Sequence, residues 1–147
     1  MKVAAQRTLP ASPETVWRVL VDWEAQPRWM KDASSVRVLG AGREGAGVRL
    51  AVRTRVFHVP LFTEELEVTG WEPASEVVIE HRSFIRGTGR WELRRVEYGT
   101  EFRWSEEVSL PVPVLGELAL LAYRPFLRHM MRGALDGLAA YVGSVET

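Results

Sequence analysis

The spacing of apolar residues changes twice along this chain. After a short, partly alternating first stretch, a helical period comes first, an alternating period fills the middle, and a helical period closes the chain. The closing stretch is residues 116–142, where Leu118, Ala122, Phe126, Met130, Gly133/Ala134, Gly137/Leu138 and Tyr141 recur at the spacing that lines one helix face. That stripe predicts a long helix docked on the rest of the protein. Gly133 and Gly137 each lower helix propensity by roughly 1 kcal/mol against Ala, so their presence predicts a sheet backbone passing close by. Pro125 removes one helical hydrogen-bond donor and predicts a kink over residues 122–125.

Residues 2–9 alternate partly and end at Pro10, which predicts a first strand at a sheet edge. Ser12-Pro13-Glu14-Thr15 is a helix start: a capping Ser, Pro at the first helical position and an acid in the first turn. Val16, Trp17, Leu20 and Val21 supply its buried face, and Gln26-Pro27-Arg28-Trp29-Met30 forms a second short helical turn. From Ser34 the period becomes two. Strands are expected around Val36 and Val38, over residues 47–56, 62–70, 77–81, 87–96 and 100–110, with turns at Gly40-Ala41-Gly42 and Trp71-Glu72-Pro73-Ala74-Ser75. Strand, two helices, six antiparallel strands and a long helix make an α+β arrangement in which the helix covers one face of a curved seven-stranded sheet.

Ser12-Pro13-Glu14-Thr15-Val16-Trp17, Leu20-Val21-Asp22-Trp23, Pro27-Arg28-Trp29 and Val36-Arg37-Val38-Leu39 resemble the opening of START-related helix-grip proteins, the SRPBCC superfamily. Gly99-Thr100-Glu101-Phe102-Arg103-Trp104 and the late helix with its Arg-Pro fit the same pattern. The resemblance is to the polyketide cyclase/dehydrase and lipid-transport branch, which includes coenzyme-Q-binding START domains. It implies a helix-grip fold, a sheet wrapped around the last helix, and a small or lipid-like apolar molecule held between them. Only some members of that superfamily catalyse a reaction.

Composition narrows the chemistry. The 147 residues fit one domain, 1–147, with 19 basic and 19 acidic side chains, so no net field favours nucleic acid. Cysteine is absent, which removes disulfides, thiolate catalysis and Cys-type zinc sites. His58, His81 and His129 lie far apart without metal-site spacing, and no phosphate-binding glycine loop or serine nucleophile motif occurs. No cofactor or metal is therefore expected. No run is long enough to span a membrane and no secretory leader opens the chain, so a cytoplasmic place is expected, with at most transient membrane or protein contact. Absence of Asn and scarcity of Gln give a composition like that of heat-adapted proteins.

Parity along the strands puts Thr54, Glu64, His81 and Glu106 on the inward face, among Phe62, Leu66, Ile79, Trp91 and Trp104. With Leu118, Ala122, Phe126 and Met130 of the helix, these are the expected ligand-binding residues. If the hairpins are tight, Thr54 falls opposite Glu64, Glu64 opposite His81 or Arg82, and Trp91 opposite Glu106. Glu64 with His81 or Arg82 then reads as a cross-strand ion pair; as a catalytic set, Glu64, His81 and Glu106 are the candidates. Glu106 has no expected cross-strand partner of opposite sign on its own face, so burial would raise its pKa unless a register slip places it in solvent. The apolar tip at residues 57–62, with Trp29 and Met30, is a cavity mouth, a contact surface or a segment buried under a neighbouring loop, and Arg124, Arg128 and Arg132 form a basic helix stripe. The expected function is binding or transport of a small hydrophobic or amphipathic molecule (lipid, quinone or polyketide-like). The alternatives are a polyketide cyclase/dehydratase-type enzyme and an interaction module acting on a larger assembly.

Overall fold

The computed structural model describes residues 1–56 and 59–146, with the backbone alone for 56, 59–61 and 146. Seven strands form one antiparallel sheet: β1 (Lys2–Leu9), β2 (Ala33–Leu39), β3 (Arg49–Val56), β4 (Val59–Glu72), β5 (Glu76–Arg82), β6 (Arg86–Val96) and β7 (Gly99–Ser109). The spatial order is β1-β7-β6-β5-β4-β3-β2. Six strands follow one another as a meander. β1, separated from them by helices, joins the free edge beside β7, with Leu9 opposite Thr100 and Lys2 opposite Glu107. Sheet and helix together are the α+β helix-grip arrangement expected from the sequence.

Helix α1 (Pro13–Leu20) starts where the sequence places it. Ser12 Oγ accepts the Thr15 amide at 3.2 Å, with Pro13 in the first helical position. A 3-10 helix (Trp23–Arg28) follows, three residues earlier than the turn expected at residues 26–30. Trp23 drives that shift: its ring is fully buried, stacks on Trp91 at 6.3 Å, and donates its indole N–H to the Arg43 carbonyl at 3.0 Å. β4 is longer than expected, continuing through Trp71 and Glu72, because Trp71 pairs with Val77 on β5.

Helix α2 (Leu115–Glu146) closes the concave face. Its core-facing residues are Leu120, Leu127, Met131, Ala134, Leu135, Leu138, Ala139 and Val142. Leu118 and Ala122 instead face solvent, Leu118 at 58% exposure. The physical reason is rotation: a row taken every fourth residue turns about 40° per step around a 3.6-residue helix, so Leu118-Ala122-Phe126 drifts off the face that Met131 and Leu138 occupy. Each fully buried side chain, such as Leu138 or Val142, contributes about 1.5–3 kcal/mol.

The two helix glycines behave differently. At Gly137 an added Cβ would lie 2.3 Å from the Trp29 carbonyl oxygen, so helix and chain do approach closely there, although the neighbour is the end of the 3-10 helix and not the sheet. Gly133 has nothing within 4 Å, and no close approach explains it. α2 packs chiefly on β1, where Arg7 pairs with Asp136. The helix runs through Pro125. Among the described residues, no helix is long and apolar enough to cross a membrane.

Candidate functional site

Between the concave face and α2 lies a cavity of about 110 Å³. Its wall is mostly apolar: Leu50 and Val52 from β3, Leu66 from β4, Ile79 from β5, Trp91 from β6, Trp104 and Val108 from β7, and Leu120, Leu127 and Met130 from α2. Seven polar side chains reach it: Gln26, Asp32, Thr54, Glu64, His81, Tyr123 and Glu106. Among the described residues, no lysine or arginine lines it.

Three of those groups form one bridge. His81 Nε2 lies 2.8 Å from Glu106 Oε2 and His81 Nδ1 lies 3.3 Å from Glu64 Oε1. Trp104 Nε1 donates to Glu106 Oε1 at 2.9 Å, so both Glu106 oxygens are engaged. All three side chains are largely buried, at 10–15% exposure. Burial opposes a charged imidazole, but the hydrogen bonds and charges of Glu106 and Glu64 outweigh it and raise the His81 pKa from its usual 6.5 to about 10. With both ring nitrogens facing carboxylates, the imidazolium form donates twice.

The backbone explains how residues on β4, β5 and β7 meet. Glu106 lies opposite Gly89, and His81 opposite Gly87, so β6 presents no side chain at this level of the concave face. A Cβ at Gly89 would sit 2.7 Å from Glu106 Oε1. The carboxylate therefore crosses β6 through the space that glycine leaves.

The expected cross-strand pairs are each displaced by two residues. Val52, not Thr54, faces Glu64, and Thr54 faces Phe62 across a bulge before Arg55. Leu66, not Glu64, faces His81, because the hairpin turns with Glu72 opposite Glu76, and the bulge between Val68 and Gly70 shifts that register by only one residue. Trp104, not Glu106, faces Trp91. A shift of two preserves parity, so every inward assignment survives while every partner changes. Glu106 gains in His81 the partner it was not expected to have. Arg82 pairs instead with Glu67 and Glu80 on the outer face.

Of the residues expected at the ligand, Thr54, Phe62, Glu64, Leu66, Ile79, His81, Trp91, Trp104, Glu106 and Met130 line the cavity. Leu118, Ala122 and Phe126 do not; Phe126 lines a groove outside it, beside Lys31, Arg55 and His129. Sequence reasoning missed Asp32, Gln26, Leu120, Leu127 and Tyr123. Shifting the helix stripe to the three-and-four row through Leu120, Tyr123 and Leu127 would have found the last three. Burial, with the negative charges of Glu64 and Asp32, raises the Tyr123 pKa to about 12, so its hydroxyl keeps its proton.

Trp29 is fully buried, stacked edge-on against Trp91 at 6.1 Å, and is no part of a mouth. Of the tip at residues 57–62, residues 57 and 58 lie outside the described residues and 59–61 are described by their backbone alone; Phe62 is 36% exposed. In the basic stripe, Arg124 and Arg128 are half-buried and Arg132 is exposed. Among the described residues no group of three acidic or histidine side chains is arranged to hold a metal ion.

A family profile described as "Polyketide cyclase / dehydrase and lipid transport" matches residues 1–143. The crystal structure of TTHA0849 from Thermus thermophilus superposes with a TM-score of 0.81 at 23% identity, covering 100% of both chains. The di-domain ARO/CYC StfQ from the steffimycin biosynthetic pathway gives 0.78 at 14% identity, over 99% of this chain and 51% of that one. Protein MLL2253 from Mesorhizobium loti gives 0.73 at 14% identity, over 98% of each. At these identities the likeness is one of fold. No curated protein matches significantly in sequence.

Proposed function

The chain belongs to the polyketide cyclase/dehydrase and lipid transport family, and from that premise we propose that it binds a small hydrophobic or amphipathic molecule between sheet and α2. The observation that carries this reading is the cavity itself: mostly apolar, walled by Trp91 and Trp104, with a few polar groups converging at one level. Such a site gains affinity from apolar burial and orientation from its polar cluster. Native mass spectrometry of protein purified from its own source, followed by solvent extraction, tests it. A co-purifying small molecule is expected. Protein that is repeatedly empty, and whose thermal transition does not move with quinones, long-chain alcohols, fatty acids or aromatic polyketides, would overturn the proposal.

A second reading is catalysis of a cyclisation or dehydration next to a carbonyl, favoured by the Glu64–His81–Glu106 bridge inside the cavity. Such a reaction needs a folded substrate and a group that moves one proton. Both ring nitrogens of His81 face carboxylates, so His81 positions and Glu64 reacts: its second oxygen accepts nothing from the described residues. Similarity in fold to the ARO/CYC protein StfQ is compatible with this reading and does not choose between the two. If the reading is right, Glu64→Gln and Glu106→Gln each lower turnover by about tenfold to a hundredfold. Unchanged turnover in both would leave the protein a carrier.

A further inference from the structure

The cavity holds more acid than base. Glu64, Glu106 and Asp32 line it against one imidazole, and among the described residues no lysine or arginine side chain reaches it. The His81 ring is already shared between two carboxylates, so its protonated form offsets one of them and leaves the set negative. In a poorly solvated space such an imbalance acts strongly on whatever enters. Beside His81, the second Glu64 oxygen, an acceptor, and the Tyr123 hydroxyl have no hydrogen-bond partner among the described residues, and the Asp32 carboxylate and Thr54 hydroxyl on the same wall have none either. The arriving group must therefore bring a hydrogen to Glu64 and must not bring negative charge.

Resting on the binding function above, we propose that the cavity selects compact apolar molecules whose head is an uncharged or cationic hydrogen-bond donor, of the alcohol or amine kind, and rejects carboxylates. A carboxylate placed beside Glu64 would add like charge and surrender its own hydration, and the one cation at hand, the His81 imidazolium, already has both nitrogens on carboxylates. An alcohol instead donates to Glu64 and can accept from Tyr123, which satisfies an acceptor and a donor at once. Size agrees with a small ring: the space of about 110 Å³ approaches the roughly 150 Å³ cavity that holds benzene, and two indoles flank it.

Four probes of one skeleton separate the possibilities: toluene, benzyl alcohol, benzylamine and benzoate, titrated into the intact protein near neutral pH by calorimetry and by the indole NMR signals of Trp91 and Trp104. Benzyl alcohol and benzylamine are expected to bind at least tenfold more tightly than benzoate, with toluene between. In Glu64→Gln the gap between benzyl alcohol and benzoate should narrow about tenfold, each affinity being read relative to toluene in the same variant so that any change in cavity width cancels. Benzoate binding as tightly as benzyl alcohol to the unaltered protein would overturn the proposal and leave the binding function standing. Failure of all four probes to bind would overturn this proposal as well, and the binding function would stand or fall on the co-purification experiment above.

Discussion

Gly89 on β6 and Glu106 on β7 stand opposite each other, and the space above the glycine is occupied by the carboxylate on its way to His81. A methyl group at Gly89 would lie 2.7 Å from Glu106 Oε1, the movable end of a flexible side chain. Gly89→Ala is therefore expected to keep the fold while displacing the carboxylate. Loss of one charged hydrogen bond should cost about 1.5–3 kcal/mol. NMR titration of the His81 ring should show its pKa falling from about 10 toward 6.5. An unchanged titration would mean that the bridge does not depend on the gap.

Stability should depend on pH through His81. Its pKa is raised on folding, so protonation favours the folded state: the contribution is complete below about 6.5 and disappears as pH rises from 6.5 through about 10. For a ring 13% exposed the loss is on the order of a few kcal/mol. Urea unfolding at pH 6, 8 and 10 should show this decline in the unaltered protein and a much flatter profile in His81→Gln. Parallel profiles would contradict it.

Gly137 and Gly133 offer a matched pair on one helix. Gly137→Ala would put a methyl 2.3 Å from the Trp29 carbonyl, which is backbone and cannot swing aside, so a loss of more than about 2 kcal/mol is expected. Gly133→Ala meets nothing and should add about 0.5–1 kcal/mol by helix propensity. Thermal denaturation of the two variants should therefore move in opposite directions.

Leu138→Ala should cost about 2–5 kcal/mol, because the side chain is fully buried. Leu118→Ala, at 58% exposure, should stay within about 0.5 kcal/mol of the unaltered protein. Equal effects, read by chemical denaturation, would reject the helix face described above.

Much of this was legible before any coordinates, and what was not has identifiable causes. Ser12 and Pro13 announce α1 because capping is local chemistry, and alternation places Glu64, His81 and Glu106 on one face because pleating has a fixed period. Which residues face each other depends on where each hairpin turns: Val56 opposite Val59, Glu72 opposite Glu76 and Val96 opposite Gly99 each set a register that alternation alone does not reveal, and the bulges beside Pro60 and Gly70 adjust two of them by one residue. The Glu106–His81 contact was hidden for a different reason. It spans two strand spacings and exists because of what Gly89 lacks, whereas pairing rules consider only adjacent strands. The helix face was misplaced at its N-terminal end alone, where the four-residue row through Leu118 has turned furthest from the core.

The bridge has a mechanical side as well. Glu64, His81 and Glu106 tie β4, β5 and β7 together from inside the curve, like a crossbar set between the staves of a barrel. Its length sets how far the sheet can flatten or fold in at that level, and so fixes the width available above Trp91 and Trp104. Cavity size is then governed by a tie that spans four adjacent strands, as well as by the bulk of the side chains around it. A crystal structure of His81→Gln would register its removal as a change in the spacing between β4 and β7, with the same residues still lining a cavity of different volume.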